Sequence, residues 1–292
     1  MITFTMMVGI VGAGKSSYAE KLCAQTGALH LSSDAMRLRL FGDESDQTHN
    51  SDVFQAMLGI TNNALKAGMS VVYDACNLSS KRRISLLKGL RAAYPGVIFK
   101  CVVMNTPIAT CYERISSRSR VVPTHVVARQ LRQFMIPYYG EGWDEIEVIN
   151  DETLRPEDIY EEEISRMETF GGQHNSHHNL SLIDHSEWCR RYYQTLSPSA
   201  PYDFYVAARF HDIGKLYTQT FDEQGEAHYK NHANYGAYIV LNITKNLDAA
   251  ALVNYHMTPF DKTSMKVWEN RLGEYLWNEI LLLHEADTAA KL

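Results

Sequence analysis

Short apolar runs of strand length recur through the first half of the chain, at Thr3–Val8, Ser70–Asp74, Val97–Met104 and Glu145–Ile149. Helix-like stretches lie between them: Lys15–Thr26, Val53–Ala67, Ser80–Ala93 and Thr124–Phe134. In the second of these, Val53, Phe54, Met57, Ile60, Ala64 and Leu65 recur at the spacing of one helix face. Gly68 and Gly96 stand where such helices should stop before the next strand. Strands alternating with helices of this length predict an α/β domain, a parallel sheet with helices on both faces. From Asn150 the pattern changes to an acidic stretch, then Gly171-Gly172, then a polar tail with His174, His177 and His178 that reads as a solvated loop. A boundary near residues 165–175 divides the chain into domains of 1–165 and 175–292. Beyond it the strand signals fade and long helical patterns follow: Leu182–Leu196, Asp203–Phe210, Ala233–Leu247, Ala249–His256 and Val267–Ala289. The second domain is expected to be all-α.

Composition agrees with two soluble domains: 292 residues, 45% hydrophobic and 21% charged. No apolar run approaches the ~18–20 residues of a membrane span, and the first residues, MITFTMMVGIVG, lead into a glycine loop rather than a cleavage site. The five cysteines are scattered without CxxC spacing. These features give the expectation of a cytoplasmic protein with free thiols and no membrane partner. The net charge of −6 is unevenly spread. Between Ser79 and Gln133 eleven basic residues face one acid, Glu113, and between Glu141 and Phe170 twelve acids face two arginines. This asymmetry suggests one anion-facing surface and one solvated acidic segment, or else helix faces that are basic without a ligand.

The glycine loop, Gly9-Ile10-Val11-Gly12-Ala13-Gly14-Lys15-Ser16, matches GxxxxGK[ST] and stands between an apolar strand and a helical pattern. Gly9, Gly12 and Gly14 let the backbone wrap a phosphate, and Lys15 supplies charge to the β- and γ-phosphates. The Ser16 hydroxyl, with Ser17 beside it, can serve Mg²⁺, so ATP or another NTP is the expected ligand. Downstream, Asp34 and Arg37 follow the short apolar stretch Ala28–Leu31, where a second strand would end at the nucleotide edge. A carboxylate there can take the proton of an attacking hydroxyl, and the arginine can grip an acceptor phosphate; Asp34 as a helix cap is the plainer reading. Asp74 and Asn77 come just past the next strand, in reach of Mg²⁺ or the acceptor. Arg114 and Arg118, four apart, share a helix face that can fold over the phosphates, with Arg120 following.

Taken in order, the Lys15 loop, Asp34xxArg37, Asp74xxAsn77 with basic residues after it, and Arg114xxxArg118 before Val122-Pro123 resemble the phage-type 5′-OH polynucleotide kinases over about residues 1–150. The resemblance implies Lys15 and Ser16 on ATP and Mg²⁺, Asp34 as general base, Arg37 on the acceptor's phosphate, and Arg114 and Arg118 at the transferring phosphate. The basic stretch would then track a polynucleotide backbone.

In the second half, His185, His211-Asp212, His228, His232, His256 and Asp287 put seven metal-competent side chains on predicted helices. One helical turn can aim His211 and Asp212 at one ion. Imidazole and carboxylate donors suit Mn²⁺, Fe, Co²⁺, Ni²⁺ or Zn²⁺ better than a thiolate zinc site. Such an ion acidifies water and polarises a phosphoryl oxygen. Lys215, one turn after Asp212, can steady a substrate phosphate. The stretch from Phe210-His211-Asp212-Ile213-Gly214-Lys215 to Gly236-Ala237 resembles the HD phosphohydrolase superfamily, in the form attached to bacterial tRNA nucleotidyltransferases, over about residues 175–292. The resemblance implies His185, His211, Asp212 and Asp287 at a first metal, and His232 and His256, with His228, at a second metal or a substrate phosphate. Met257 stands where dinuclear branches often carry a second histidine.

Together the halves suggest healing of RNA or DNA ends: a 5′-OH phosphorylated by one site, a 2′- or 3′-terminal phosphate removed by the other, and sealing left to a separate ligase. Two other readings are a nucleoside or nucleotide kinase fused to an HD nucleotidase, and a regulatory HD protein gated by ATP.

Overall fold

The computed structural model describes residues 1–117, 122–174, 179–263 and 265–291. In the first half the elements are β1 (Thr3–Val8), α1 (Lys15–Thr26), β2 (Leu29–Ser32), α2 (Ser33–Phe41), α3 (Asn50–Lys66), β3 (Val71–Asp74), α4 (Ser80–Ala93), β4 (Ile98–Asn105), α5 (Ile108–Ser116), α6 (His125–Leu131), β5 (Glu145–Asn150) and α7 (Pro156–Phe170). The five strands form one parallel sheet in the order β2-β3-β1-β4-β5. β1 is central because Phe4, Met6, Met7 and Val8 are all buried, as a strand covered on both faces requires. Every parallel strand ends at the same edge, and that edge carries the glycine loop after β1, Ser32 at the end of β2 with Ser33 following, and Asp74 at the end of β3.

The second half contains α8 (Leu182–Leu196), α9 (Tyr202–Arg209), α10 (Lys215–Thr218), β6 (Thr220–Phe221), β7 (Ala227–His228), α11 (His232–Thr244), α12 (Leu247–Tyr255), α13 (Met265–Leu272) and α14 (Glu274–Ala289). It is helical, as its sequence predicts, apart from the two-residue antiparallel ribbon of β6 and β7. The expected helix Val267–Ala289 is two helices, because Gly273 between them takes a left-handed φ of 81°. The acidic stretch is also not simply solvated. α7 opens with Pro156 and first-turn acids Glu157 and Asp158, a favourable helix start. It then buries Met167 and Glu163, the latter accepting the Tyr217 hydroxyl at 2.6 Å.

One apolar core runs through both halves. α11 is the element that joins them. Tyr238 on α11 donates to the Thr106 carbonyl at 2.8 Å. Asn105 at the end of β4 donates to the Leu241 carbonyl at 3.0 Å and accepts from Asn242 at 2.5 Å. On α12, Asn254 Oδ1 accepts the Ile136 amide at 2.8 Å. Among the described residues no helix is long and apolar enough to cross a membrane, and all five cysteines are free thiols.

Candidate functional site

The glycine loop is closed on itself and braced from three sides. Lys15 Nζ donates to the Ile10 carbonyl at 2.8 Å and is buried, while Ser16 and Ser17 are exposed at the start of α1. Gly12 has a φ of 85°, and a Cβ there would lie 2.5 Å from the Cys111 carbonyl oxygen, so α5 packs against the loop only because position 12 is bare. The Gly9 amide donates to the Cys76 carbonyl at 3.1 Å, tying the loop to the end of β3. Thr106 donates to the Ala13 carbonyl at 3.1 Å, and Gln130 on α6 accepts the Val11 amide at 2.6 Å.

Asp34 sits in the first turn of α2, which Ser32 caps from outside; the cap role considered for Asp34 therefore belongs to Ser32. Its carboxylate is 51% exposed and accepts from Arg37 Nη1 at 2.7 Å. Arg37 is buried, with Nη2 on Asn50 Oδ1 at 2.7 Å. The guanidinium thus aims Asp34 rather than lying open to solvent. Asp74 is buried and meets His30 Nε2 at 3.2 Å. Asn77 adopts a φ of 49° and spends its amide on the Met7 carbonyl at 2.7 Å, a tie between β3 and β1.

Arg114 Nη1 pairs with Asp151 Oδ2 at 2.7 Å, and a Cβ on Gly14 would come within 3.5 Å of that nitrogen, which puts the guanidinium against the loop. Burial pushes the Asp151 carboxyl up, but Arg114 and the Thr153 donors outweigh it and hold it below its ordinary value. α5 ends at Ser116; Arg118 and Arg120 lie outside the described residues. The basic stretch is less open than its composition suggests. Arg83 is buried in a two-pronged pair with Glu141 (2.6 and 2.7 Å), Arg91 pairs with Asp144, Lys100 with Glu145, and Arg132 donates to the Tyr217 carbonyl. Glu141, Asp144, Glu145 and Asp151 of the acidic segment neutralise four of the basic residues. Lys81, Arg82, Lys88 and Arg129 remain exposed.

The second cluster is assembled from five elements. His185 comes from α8, His211 and Asp212 from the turn after α9, His232 from the start of α11, His256 from the end of α12 and Asp287 from α14. His185, His211, Asp212 and Asp287 form one group with ligand atoms converging; Asp212, His232 and His256 form another. Asp212 is shared. Its Oδ2 lies 3.4 and 3.3 Å from Nε2 of His185 and His211, and its Oδ1 lies 3.1 and 3.8 Å from Nε2 of His232 and His256. His228 belongs to neither group: it is exposed on β7 with Nε2 on Asp222 at 3.0 Å.

These residues fit a metal centre. All four imidazoles are held at Nδ1 by backbone carbonyls, of Ala290, Ala208, Tyr229 and Val253, so the Nε2 atoms face inward. Facing pairs stand 3.3 Å (His185, His211) and 3.2 Å (His232, His256) apart, and the buried Asp287 Oδ1 lies 3.2 Å from His185 Nε2 and 3.6 Å from His211 Nε2. Convergent nitrogens and carboxylates out of water require positive charge between them. Without a cation, protons supply it. Burial opposes the charge on His211 and His185, yet neighbouring groups, Asp212 and Asp287 among them, raise both above their ordinary value. His256, buried and beside His232 and His211, is instead pushed down to about 3. Asp212 and Asp287 stay well below the carboxylate range despite burial. Lys215 is buried, with Nζ on Asp212 Oδ2 at 2.6 Å and on Gln173 Oε1 at 2.7 Å.

Three contributors escaped the sequence. Asp151 was submerged in a run of acids, although its place at the end of the last strand was a usable signal. Gln130 and Gln173 carry no local signature; only their contacts identify them.

Residues 4–137 match the family model described as an AAA domain, and residues 176–290 match the HD domain model. No curated protein matches the chain at a significant level. Among solved structures, a candidate kinase of Chloroflexus aurantiacus is 15% identical, with 51% of this chain and 85% of that one covered at a TM-score of 0.44. A sugar kinase of a Janibacter species is 18% identical, covering 51% and 86% at 0.39, and a gluconokinase of Sinorhizobium meliloti is 21% identical, covering 51% and 82% at 0.37. A region matching the AAA domain model, built on a five-stranded parallel sheet with the GxxxxGK[ST] loop after its central strand, is followed by a helical region matching the HD domain model.

Proposed function

We propose that the protein heals nucleic-acid ends, RNA in the first place, phosphorylating a 5′-OH at the P-loop site and removing a 2′- or 3′-terminal phosphate at the HD site. The observation that carries this reading is the pairing, on one continuous core, of two sites of opposite chemical sense. Acting on the same group of one small molecule, such sites would cancel each other. A cut polynucleotide has two different ends, one lacking phosphate and the other blocked by it, so both reactions are needed.

At the kinase site the attacking hydroxyl gives its proton to Asp34, held in place by Arg37, as its oxygen bonds to the γ-phosphorus of ATP or another NTP and the β,γ-bridging bond breaks. Lys15 and Arg114, both against the glycine loop, would face the phosphates, Mg²⁺ would be held from Ser16, and Asp74 is buried at the same edge of the sheet. At the HD site the cluster would hold one or two ions among Mn²⁺, Fe, Co²⁺, Ni²⁺ and Zn²⁺, which supply Lewis acidity and an activated water when bound. Asp212 bridges the two groups, and Lys215 fixes its orientation. A separate ligase would complete the repair.

The test is one incubation of protein with labelled ATP, Mg²⁺, Mn²⁺ and a 5′-OH RNA oligomer ending in a 3′-phosphate. Asp34→Asn should abolish 5′ labelling, a loss of about 10²-fold or more, and leave phosphate release intact; Asp212→Asn should do the reverse. An oligomer left untouched in both reactions would sink the proposal. The neutralised basic stretch favours one other reading, a nucleoside or nucleotide kinase fused to an HD nucleotidase, in which mononucleotides react and oligomer length does not matter.

A further inference from the structure

Residues 171–174 join the two halves and lie outside both matched regions, 4–137 and 176–290. The segment is nevertheless built into the HD centre. Gly172 forms a β-bridge with Ser181, and the His174 carbonyl accepts the Ala227 amide at 2.9 Å. The Gln173 carbonyl accepts the hydroxyl of Tyr229, whose own carbonyl receives Nδ1 of His232 at 2.9 Å. Gln173 is 1% exposed, and its side chain meets Lys215 Nζ at 2.7 Å, next to Asp212. An ammonium only donates, so the atom facing Lys215 is the amide oxygen, which fixes the other as Nε2. Nε2 is buried and has no hydrogen-bond partner among the described residues. Buried donors in folded proteins are nearly always paired. A donor preset beside a cationic phosphohydrolase centre is satisfied by an incoming phosphoryl oxygen.

We infer that Gln173 is a substrate-binding residue of the HD centre, donating from Nε2 to a non-bridging oxygen of the terminal phosphomonoester and of the inorganic phosphate released from it. The inference rests on the phosphohydrolase reading above. An amide suits the place: it is neutral, so it does not repel the anion. Lys215 anchors the amide oxygen, and the backbone ties hold the segment that carries the donor. A chain begun at residue 175 would lack this donor.

The experiment uses the full chain loaded with Mn²⁺, inorganic phosphate as the calorimetric probe, and a 3′-phosphorylated oligonucleotide as substrate. Gln173→Glu keeps the acceptor for Lys215 and replaces the donor by an anion; Gln173→Met removes both at similar volume. Both should weaken phosphate binding and raise KM about tenfold or more, the loss of one good hydrogen bond to an anion, with the Glu variant worse. Mn²⁺ affinity of phosphate-free Gln173→Glu should stay close to that of the parent protein. Unchanged phosphate binding in both variants overturns the inference, as does a parallel loss of Mn²⁺ in both, which would mean that Gln173 acts only through Lys215 and Asp212. A parent protein that hydrolyses no phosphomonoester removes the phosphohydrolase reading itself, a distinct result.

Discussion

At the scale of the residue, the two centres use the same device in opposite ways: a side chain is aimed by a partner that is itself held. Arg37 aims Asp34 from a buried position, and four backbone carbonyls aim four imidazoles at Asp212. The second case makes a pH-dependent prediction. His185 and His211 have values raised above the ordinary 6.5 in the metal-free protein, so they hold protons at that pH and above it, and a metal must displace them. Mn²⁺ affinity should therefore fall as pH is lowered from 8 to 6. Calorimetry in buffers of different ionisation enthalpy should show net proton release on binding. His232→Ala should weaken only binding at the group of Asp212, His232 and His256 and spare the group containing His185, because only Asp212 is common to both.

At the scale of the element, the structure explains why a basic helix is not by that fact a nucleic-acid surface. α4 carries Lys81, Arg82, Arg83, Lys88 and Arg91, yet Arg83 turns inward to Glu141 and Arg91 reaches Gly142 and Asp144. The Arg83–Glu141 pair is fully engaged: the guanidinium also donates to the Asn77 and Met135 carbonyls, and Glu141 accepts from the Trp143 indole. Arg83→Ala leaves a carboxylate buried without its partner. It should destabilise the protein by about 3–5 kcal/mol, read as the midpoint shift in urea unfolding. Replacing both members with apolar residues of similar volume should recover much of the loss.

At the scale of the whole molecule, α11 binds the halves together. Its N-terminus supplies His232 to the HD centre, and further along Tyr238 holds Thr106, which holds the glycine loop at Ala13. Asn105 at the end of β4 and Asn242 on α11 are both buried and bonded to each other. Heat or denaturant should therefore unfold the chain in a single transition, with tryptophan fluorescence and far-UV dichroism coincident. Two separated transitions would show that the shared core does not couple the halves. With Arg83, Arg91, Lys100 and Arg114 held in ion pairs, few phosphates can be engaged, and binding of a single strand should show a shallow salt dependence, about −0.7 per phosphate engaged.

The sequence alone determined much of this. The phosphate loop and the His211-Asp212 pair are specified by local spacing, since a glycine wrap, a strand edge or a His-Asp pair needs only neighbours in the chain. Strand and helix positions followed from the period of apolar residues, and β1, α1, α4 and α8 lie where that period puts them. What spacing cannot carry is pairing across distance. Whether Arg83 meets water or Glu141, 58 residues away, depends on how α4 packs against the turn before β5. That His228 leaves the cluster while His232 enters it depends on a two-residue ribbon too short to leave a pattern. Gln173 looked like linker, and only the tertiary fold brings its amide to Lys215, 42 residues on. Charge neutralisation, shared ligands and buried donors are properties of packed neighbours, and neighbours are decided by the core.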